Sequence, residues 1–154
     1  MDYGNKILKE SGGKTIDFIS MLTQSIHRDF KLEIREEGKP HWPDETFIFG
    51  KGSCRDLAWM QIQLLRHLGF AARFVSGYFY PIVEDPEFEL HAWVEVYIPG
   101  AGWIGFDPSH GLMASNSHIP IASSAQHEKT MTVTGNIRGS ATSKLEANLM
   151  IVEI

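Results

Sequence analysis

Cysteine is scarce in this sequence, because Cys54 is the only one among 154 residues. A single cysteine can form neither an internal disulfide nor a thiolate zinc site. A reducing compartment is therefore the default expectation, and we expect a cytoplasmic location. The histidines show no H-E-x-x-H or comparable metal-binding spacing. The sequence accordingly predicts no metal site and no cofactor.

An excess of basic residues is also missing. The chain has 14 Lys and Arg against 19 Asp and Glu, which gives a formal net charge of −5. Phosphate binding needs a basic face, so this balance argues against a nucleic-acid partner. No run of 18 or more apolar residues occurs, and residues 1–15 lack the apolar segment of a signal peptide. We therefore expect no membrane span and no membrane partner.

Hydrophobic periodicity divides the chain into a helical part and a strand-rich part. Residues 1–14 are predicted to be a flexible N-terminal end, followed by a single domain over residues 15–154. Helices are predicted over residues 15–30, capped by Thr15, and over residues 54–68, ended by Gly69. Strands are predicted over residues 71–80, 91–98 and 103–107, with weaker candidates at 118–122, 130–135 and 144–154. The segments 31–53 and 81–89 are predicted to be irregular connections.

Three residues in this order are the parts of a nucleophilic site. Cys54 opens a helix, His91 opens a strand, and Asp107 closes the next strand. Side chains alternate along a strand, so an odd-numbered turn between these strands puts His91 and Asp107 on one face. The same parity brings the aliphatic residues of both strands together on the other face. The pattern therefore favours a hydrogen bond between His91 and Asp107.

The chemistry expected of such a set is acyl transfer through a thiolate. Partial positive charge at a helix N-terminus and a neighbouring imidazolium both favour the thiolate form of a cysteine. Asp107 would orient the His91 ring, and His91 would protonate the leaving amine. The backbone N–H of Cys54 is a natural oxyanion donor, with His41 or Trp42 as candidates for a second one.

Each of these residues also has an ordinary structural interpretation. A lone cysteine on an apolar helix is most often buried and inert, and Asp before Pro is a common turn element. The tryptophans Trp42, Trp59, Trp93 and Trp103 either line a cleft or fill the core, and for the last three we favour the core. The enzymatic hypothesis depends on Cys54, His91 and Asp107 occurring together.

Four sequence blocks resemble the transglutaminase-like superfamily, the papain-like fold group that includes bacterial cysteine proteases. They are residues 52–58 (GSCRDLA), 65–78 (LRHLGFAARFVSGY), 91–97 (HAWVEVY) and 102–109 (GWIGFDPS). Segments 118–122 and 135–139 also resemble the bacterial subgroup, although residues 124–127 depart from its Gly-Arg-Asp-Tyr-like stretch. Members of this superfamily often carry a further N-terminal β-rich domain, so the chain is either a minimal member or a fragment.

The resemblance implies an α+β fold in which the cysteine helix packs on an antiparallel sheet that carries His and Asp. It places Cys54, His91 and Asp107 on the catalytic residues of the family. The implied activity is cleavage or transfer of peptide or amide bonds through a thioester, with a protein or peptide as substrate. Crosslinking of glutamine to lysine and a non-catalytic protein-binding role stay open as alternatives. The acidic segment 84–89 borders the cleft in one interpretation and is a solvated loop in the other.

Overall fold

The computed structural model describes residues 2–35, 38–80, 90–135, 138–140, 142, 144 and 149–151. Four helices and seven strands occur within these residues. The helices are α1 (Asp2–Glu10), α2 (Thr15–Asp29), α3 (Pro43–Phe49) and α4 (Cys54–His67), with a 3₁₀ turn at His127–Thr130. The strands are β1 (Lys31–Leu32), β2 (Lys51–Gly52), β3 (Ala72–Phe79), β4 (Leu90–Ile98), β5 (Gly102–Asp107), β6 (Leu112–Met113) and β7 (His118–Ser124).

The main sheet has five antiparallel strands in the order β6-β5-β4-β3-β7. Helix α4 packs against β3 and β4 of this sheet, and α2 packs beside α4 against β5 and β6. A separate two-stranded parallel sheet joins β1 to β2, directly before α4. The predicted α+β fold, with the cysteine helix on an antiparallel sheet, is therefore confirmed.

The core lies between α2, α4 and the sheet. Apolar residues at helical spacing on α2 are fully buried, as are the inward residues of α4 and the alternating residues of the strands. The core includes Phe18, Ile19, Leu22, Ile26, Leu57, Met60, Ile62, Leu65, Phe74, Val94, Val96 and Phe106. This packing fixes the start of α4 against the ends of β3 and β4. Among the described residues, no helix is both long and apolar enough to cross a membrane.

The hairpin between β4 and β5 has the predicted parity. Ile98 pairs with Gly102, so the turn holds three residues, 99–101. Val94 lies opposite Phe106 and Val96 opposite Ile104, which brings the aliphatic residues together on the core face. Register therefore sets which residues face α4 and which face the other side of the sheet.

The N-terminal segment contains a helix that the sequence pattern did not predict. Residues 2–10 form α1, whose Ile7 is buried in the core while Tyr3 contacts Phe30 edge to face. Tyr3, Ile7 and Leu8 have helical spacing, but polar neighbours obscure it in the sequence. The start of α2 also differs, because its N-cap is Lys14 and not Thr15, which lies inside the helix.

The segment 31–53 is more ordered than predicted, since it contains β1, α3 and β2. In the C-terminal part, the predicted strand at 118–122 is confirmed as β7. Thr130 ends the 3₁₀ turn and residues 131–135 form no strand, so that prediction is wrong. The segment 81–89, with its acidic residues, and most of residues 144–154 lie outside the described residues.

Gly77 is the tightest point of the sheet and gives a test of the fold. It pairs with both His91 and Pro120, at a register shift between β3 and β7. A Cβ there would collide with the backbone oxygen of Ile119 and lie 2.6 Å from the Trp93 ring. Because backbone cannot move aside cheaply, we expect Gly77→Ala to lower the free energy of unfolding by about 2–3 kcal/mol.

Urea denaturation would measure this loss, with Gly135→Ala as the matched control. A Cβ at Gly135 meets no atom within 4 Å. Equal stability of the two variants would contradict the proposed close approach of β3 to β7.

Candidate active site

Cys54 is the first residue of α4 and borders a cavity. Its side chain is partly exposed, and the cavity has a volume of about 690 Å³. His91 and His110 line the same cavity. The thiol therefore lies at a helix N-terminus, where backbone N–H groups favour negative charge, and it is open to an incoming molecule.

The start of α4 is held by the buried carboxylate of Asp56. Both the backbone N–H and the hydroxyl of Ser53 donate to its Oδ2 at 2.7 Å. Its Oδ1 accepts the backbone N–H of His41 at 2.7 Å and Arg35 Nη2 at 2.5 Å. Burial alone would raise the pKa of Asp56, but these bonds lower it below its ordinary value. The charge of Asp56 thus fixes the helix start and the preceding loop together.

His91 connects the thiol to Asp107. Its Nε2 donates to Asp107 Oδ2 at 2.7 Å, and the ring lines the same cavity as Cys54. Burial of the ring alone would lower its pKa, but the bonds to Asp107 and Cys54 outweigh burial and raise the pKa of His91 to about 9. His91 is therefore an imidazolium at neutral pH, next to the cysteine.

Asp107 accepts hydrogen bonds from three histidines. In addition to His91, His110 Nδ1 lies 2.7 Å and His118 Nε2 3.0 Å from the same oxygen, Oδ2. The other oxygen, Oδ1, accepts the backbone N–H of Ser109 at 2.8 Å. The side chain is fully buried, and burial alone would raise its pKa, but the histidine bonds hold the pKa of Asp107 well below its usual range. The carboxylate therefore stays ionised.

Sequence reasoning did not identify His110 and His118 as part of this site. His110 lies three residues after Asp107 and stacks on Phe79 with a centroid distance of 4.2 Å. His118 comes from β7, and its Nδ1 accepts the backbone N–H of Ser115 at 3.3 Å. That bond leaves the proton on Nε2, which donates to Asp107. The spacing of His110, three residues after Asp107, could have indicated its place in the site from the sequence. The place of His118 depends on which strand pairs with β3, which the sequence pattern does not give.

Potential metal ligands also converge at this point. His91, Asp107 and His110 each offer a ligand atom within 4.8 Å of the others, the only such group among the described residues. The sequence did not predict this cluster, because the fold and not a short motif assembles it. A cation there would have to replace the hydrogen bonds that Asp107 accepts from the two histidines.

The predicted second oxyanion donors are engaged elsewhere. The backbone N–H of His41 donates to Asp56, and that of Trp42 donates to Glu45 at 3.0 Å. Neither residue lines the cavity beside Cys54. By contrast, the backbone N–H of Cys54 has no hydrogen-bond partner within the described part of the chain. It remains the candidate donor to an oxyanion.

None of the four tryptophans lines this cavity. Trp93 is buried, as predicted, and Trp59 is partly buried against His127. Trp103 is 41% exposed, so the core prediction is wrong for it. The Arg73 guanidinium covers its ring at 4.1 Å, a cation–π contact that lets an aromatic residue stay at the surface.

Comparison with known proteins gives a family match over most of the chain. The model of the transglutaminase-like superfamily matches residues 3–108. The uncharacterized protein ML0607 of Mycobacterium leprae is 26% identical over 109 residues, which are 68% of this chain and 37% of that protein. A protein-glutamine gamma-glutamyltransferase of Pseudomonas aeruginosa is 34% identical over 102 residues, covering 59% of this chain and 15% of that protein.

A solved structure shares the fold. It is a "putative cysteine protease" from Cytophaga hutchinsonii, with a TM-score of 0.64 and 26% identity, and the match covers 82% of this chain and 43% of that one. The chain thus spans less than half the length of each of these three proteins.

The titration of His91 is the first test of the site. We expect its ring to titrate near pH 9, as measured from the Cε1 proton by NMR. Asp107→Asn should move the pKa of His91 downward, because it removes the charge that stabilises the imidazolium. The exposed Asp44→Asn is the matched control. A His91 signal that titrates at or below the ordinary 6.5 would contradict the arrangement.

The same shift makes stability depend on pH. The folded-state pKa of His91 lies above its ordinary value of 6.5. Its contribution to the free energy of unfolding is therefore complete below pH 6.5 and is lost as the pH rises through about 9. Comparison of wild type with His91→Gln by urea denaturation across this range would isolate that contribution.

Asp56 gives a second test, directed at the helix start. Asp56→Ala leaves the Ser53 N–H, the His41 N–H and Arg35 without their acceptor, so we expect a loss of about 3 kcal/mol in the free energy of unfolding. Asp44→Ala, in the exposed first turn of α3, should change it by less than about 0.5 kcal/mol. Similar losses in the two variants would show that Asp56 does not anchor the loop.

Proposed function

Because this chain belongs to the transglutaminase-like superfamily, we propose that it is a cysteine-dependent acyl-transfer enzyme with Cys54 as nucleophile. His91 acts as acid and base, and Asp107 orients and charges the His91 ring. One observation carries the proposal: the His91 ring is bonded to Asp107 at 2.7 Å and lines the same cavity as the Cys54 thiol. An imidazolium between a carboxylate and a thiol at a helix N-terminus favours the thiolate.

The first half-reaction forms a thioester. The Cys54 thiolate attacks the carbonyl carbon of a peptide or side-chain amide, and an S–C bond forms as the carbonyl oxygen becomes an oxyanion. The backbone N–H of Cys54 stabilises that charge. His91 gives its proton to the amide nitrogen, and the C–N bond breaks to release a neutral amine.

The second half-reaction returns the thiolate. Neutral His91 takes a proton from the incoming nucleophile, which attacks the thioester carbon as the C–S bond breaks. Water as nucleophile gives a carboxylic acid and makes the enzyme a protease or amidase. A lysine amine gives a new amide, which is a protein crosslink. In both cases Cys54 is again a thiolate and His91 an imidazolium.

We favour hydrolysis as the leading function, since the cavity at Cys54 is open to water. Crosslinking is the second candidate, and the 34% identity to the Pseudomonas aeruginosa protein-glutamine gamma-glutamyltransferase supports it. That match covers 59% of this chain. A protein-binding domain without catalytic activity is the third hypothesis, and it predicts an unreactive thiol.

The reactivity of the Cys54 thiol distinguishes an enzyme from a binding domain without catalytic activity. At pH 7 we expect iodoacetamide to alkylate Cys54 at least about tenfold faster in wild type than in His91→Gln, because the imidazolium that favours the thiolate is lost. The exposed His67→Gln, in the last turn of α4, is the matched control and should react like wild type. Mass spectrometry of the Cys54 peptide gives the rates, and circular dichroism checks folding.

The outcomes separate the hypotheses. A slow wild-type reaction, equal in all three proteins, would reject the enzyme and favour the binding domain. With a reactive thiol, incubation with glutamine-containing peptides and a lysine analogue then shows whether water or the amine takes the acyl group.

A further inference from the structure

An extended segment before the catalytic helix borders the cavity that holds Cys54. Residues 32–35 line this cavity together with Cys54 and His91. Two apolar side chains of the segment are exposed, Leu32 at 46% and Ile34 at 84%. Both side chains offer apolar surface to a molecule that enters the cavity beside Cys54.

The backbone of this segment has one paired edge and one open edge. The N–H groups of Lys31 and Glu33 donate to the oxygens of Gly50 and Gly52, both at 2.9 Å. Backbone groups of alternate residues in a strand point to opposite edges, so the N–H and C=O of Leu32 point away from β2. Within the described residues the small sheet contains only β1 and β2, and neither Leu32 group has a hydrogen-bond partner.

We propose that this open edge binds the substrate as an extended peptide strand, with Leu32 as the pairing residue. The inference rests on the proposed function, since it assigns a peptide to the cavity of Cys54. One residue of an incoming antiparallel strand needs one donor and one acceptor, and Leu32 presents both. Such strand addition uses main-chain bonds for affinity and alternating side chains for selectivity.

The cavity walls define the class of peptide. Phe74, Phe79, Leu90 and Ala92 line the same cavity and contribute apolar surface to it. The two arginines that line it are engaged with the protein, Arg35 with Asp56 and Arg55 with the backbone oxygen of Arg35. Alternate side chains of the bound strand therefore meet apolar surface, and the substrate is an extended, apolar segment and not a folded surface.

Backbone methylation of a peptide probe tests the pairing in the wild-type protein. The probe is acetyl-Val-Val-Ala vinyl sulfone, whose alkene accepts the Cys54 sulfur while the adjacent carbon takes a proton from His91. Three analogues each carry one N-methyl group. Methylation of the nitrogen that donates to the Leu32 oxygen should slow labelling of Cys54 about tenfold, because one hydrogen bond is lost. Methylation at the other two nitrogens should slow labelling less.

Substitution of Leu32 tests the protein side of the same pair. Leu32→Pro removes only the N–H at the open edge and keeps those of Lys31 and Glu33, so it should slow labelling by the unmethylated probe about tenfold. Leu32→Ala keeps the N–H and removes the apolar side chain, and it should retain labelling within about threefold. Both variants should react with iodoacetamide like wild type.

The results distinguish failure of this inference from failure of the proposed function. If no N-methyl position slows labelling of wild type, or if Leu32→Pro and Leu32→Ala are slowed equally, the strand pairing is wrong while Cys54 remains an enzymatic nucleophile. If Cys54 reacts independently of His91 with both reagents, the proposed function itself is wrong. The wild-type methylation series decides the question even if Leu32→Pro does not fold.

Discussion

The buried charge of Asp107 is the interaction on which the rest of the site depends. An ionised carboxylate without water is costly, and here four donors compensate for the lost hydration. Those donors come from β4, the turn after β5, and β7, so the same charge that raises the pKa of His91 also ties three parts of the sheet together. The stability of the fold and the protonation of His91 therefore both depend on Asp107. If its hydrogen-bond donors were removed, the buried carboxylate would take up a proton and lose its charge.

Asp56 has the corresponding role at the helix start. It holds Ser53, His41 and Arg35, and it therefore fixes the thiol relative to the segment that lines the cavity. Two buried carboxylates thus position the two halves of the candidate site, Asp56 for the Cys54 thiol and Asp107 for the His91 ring. Core packing of α4 on β3 and β4 brings these halves together, because it places the start of α4 beside the start of β4, where His91 lies.

Much of this arrangement could be predicted from local pattern. The α4 boundaries, the β4–β5 hairpin and its parity follow from periods of 3.6 and 2 and from turn residues, and they place His91 and Asp107 on one face. The ring of donors around Asp107 could not be predicted, because His118 reaches it only through the pairing of β7 with β3. Helix α1 was missed because its few apolar residues lie among polar ones, and α3 because its glycine and proline neighbours resemble a loop. Which face of a strand a residue occupies is local information, whereas which strand lies beside it is not.

The position of His118 has a consequence for how this domain can be inherited. The family match ends at residue 108, and a gene fragment with that boundary would still encode Cys54, His91 and Asp107. It would lack β7, so β3 would become a bare sheet edge prone to pairing with other chains, and Asp107 would lose three of its four donors, those from Ser109, His110 and His118. Recombination can therefore exchange this domain intact only if the exchanged segment extends past β7, well beyond Asp107.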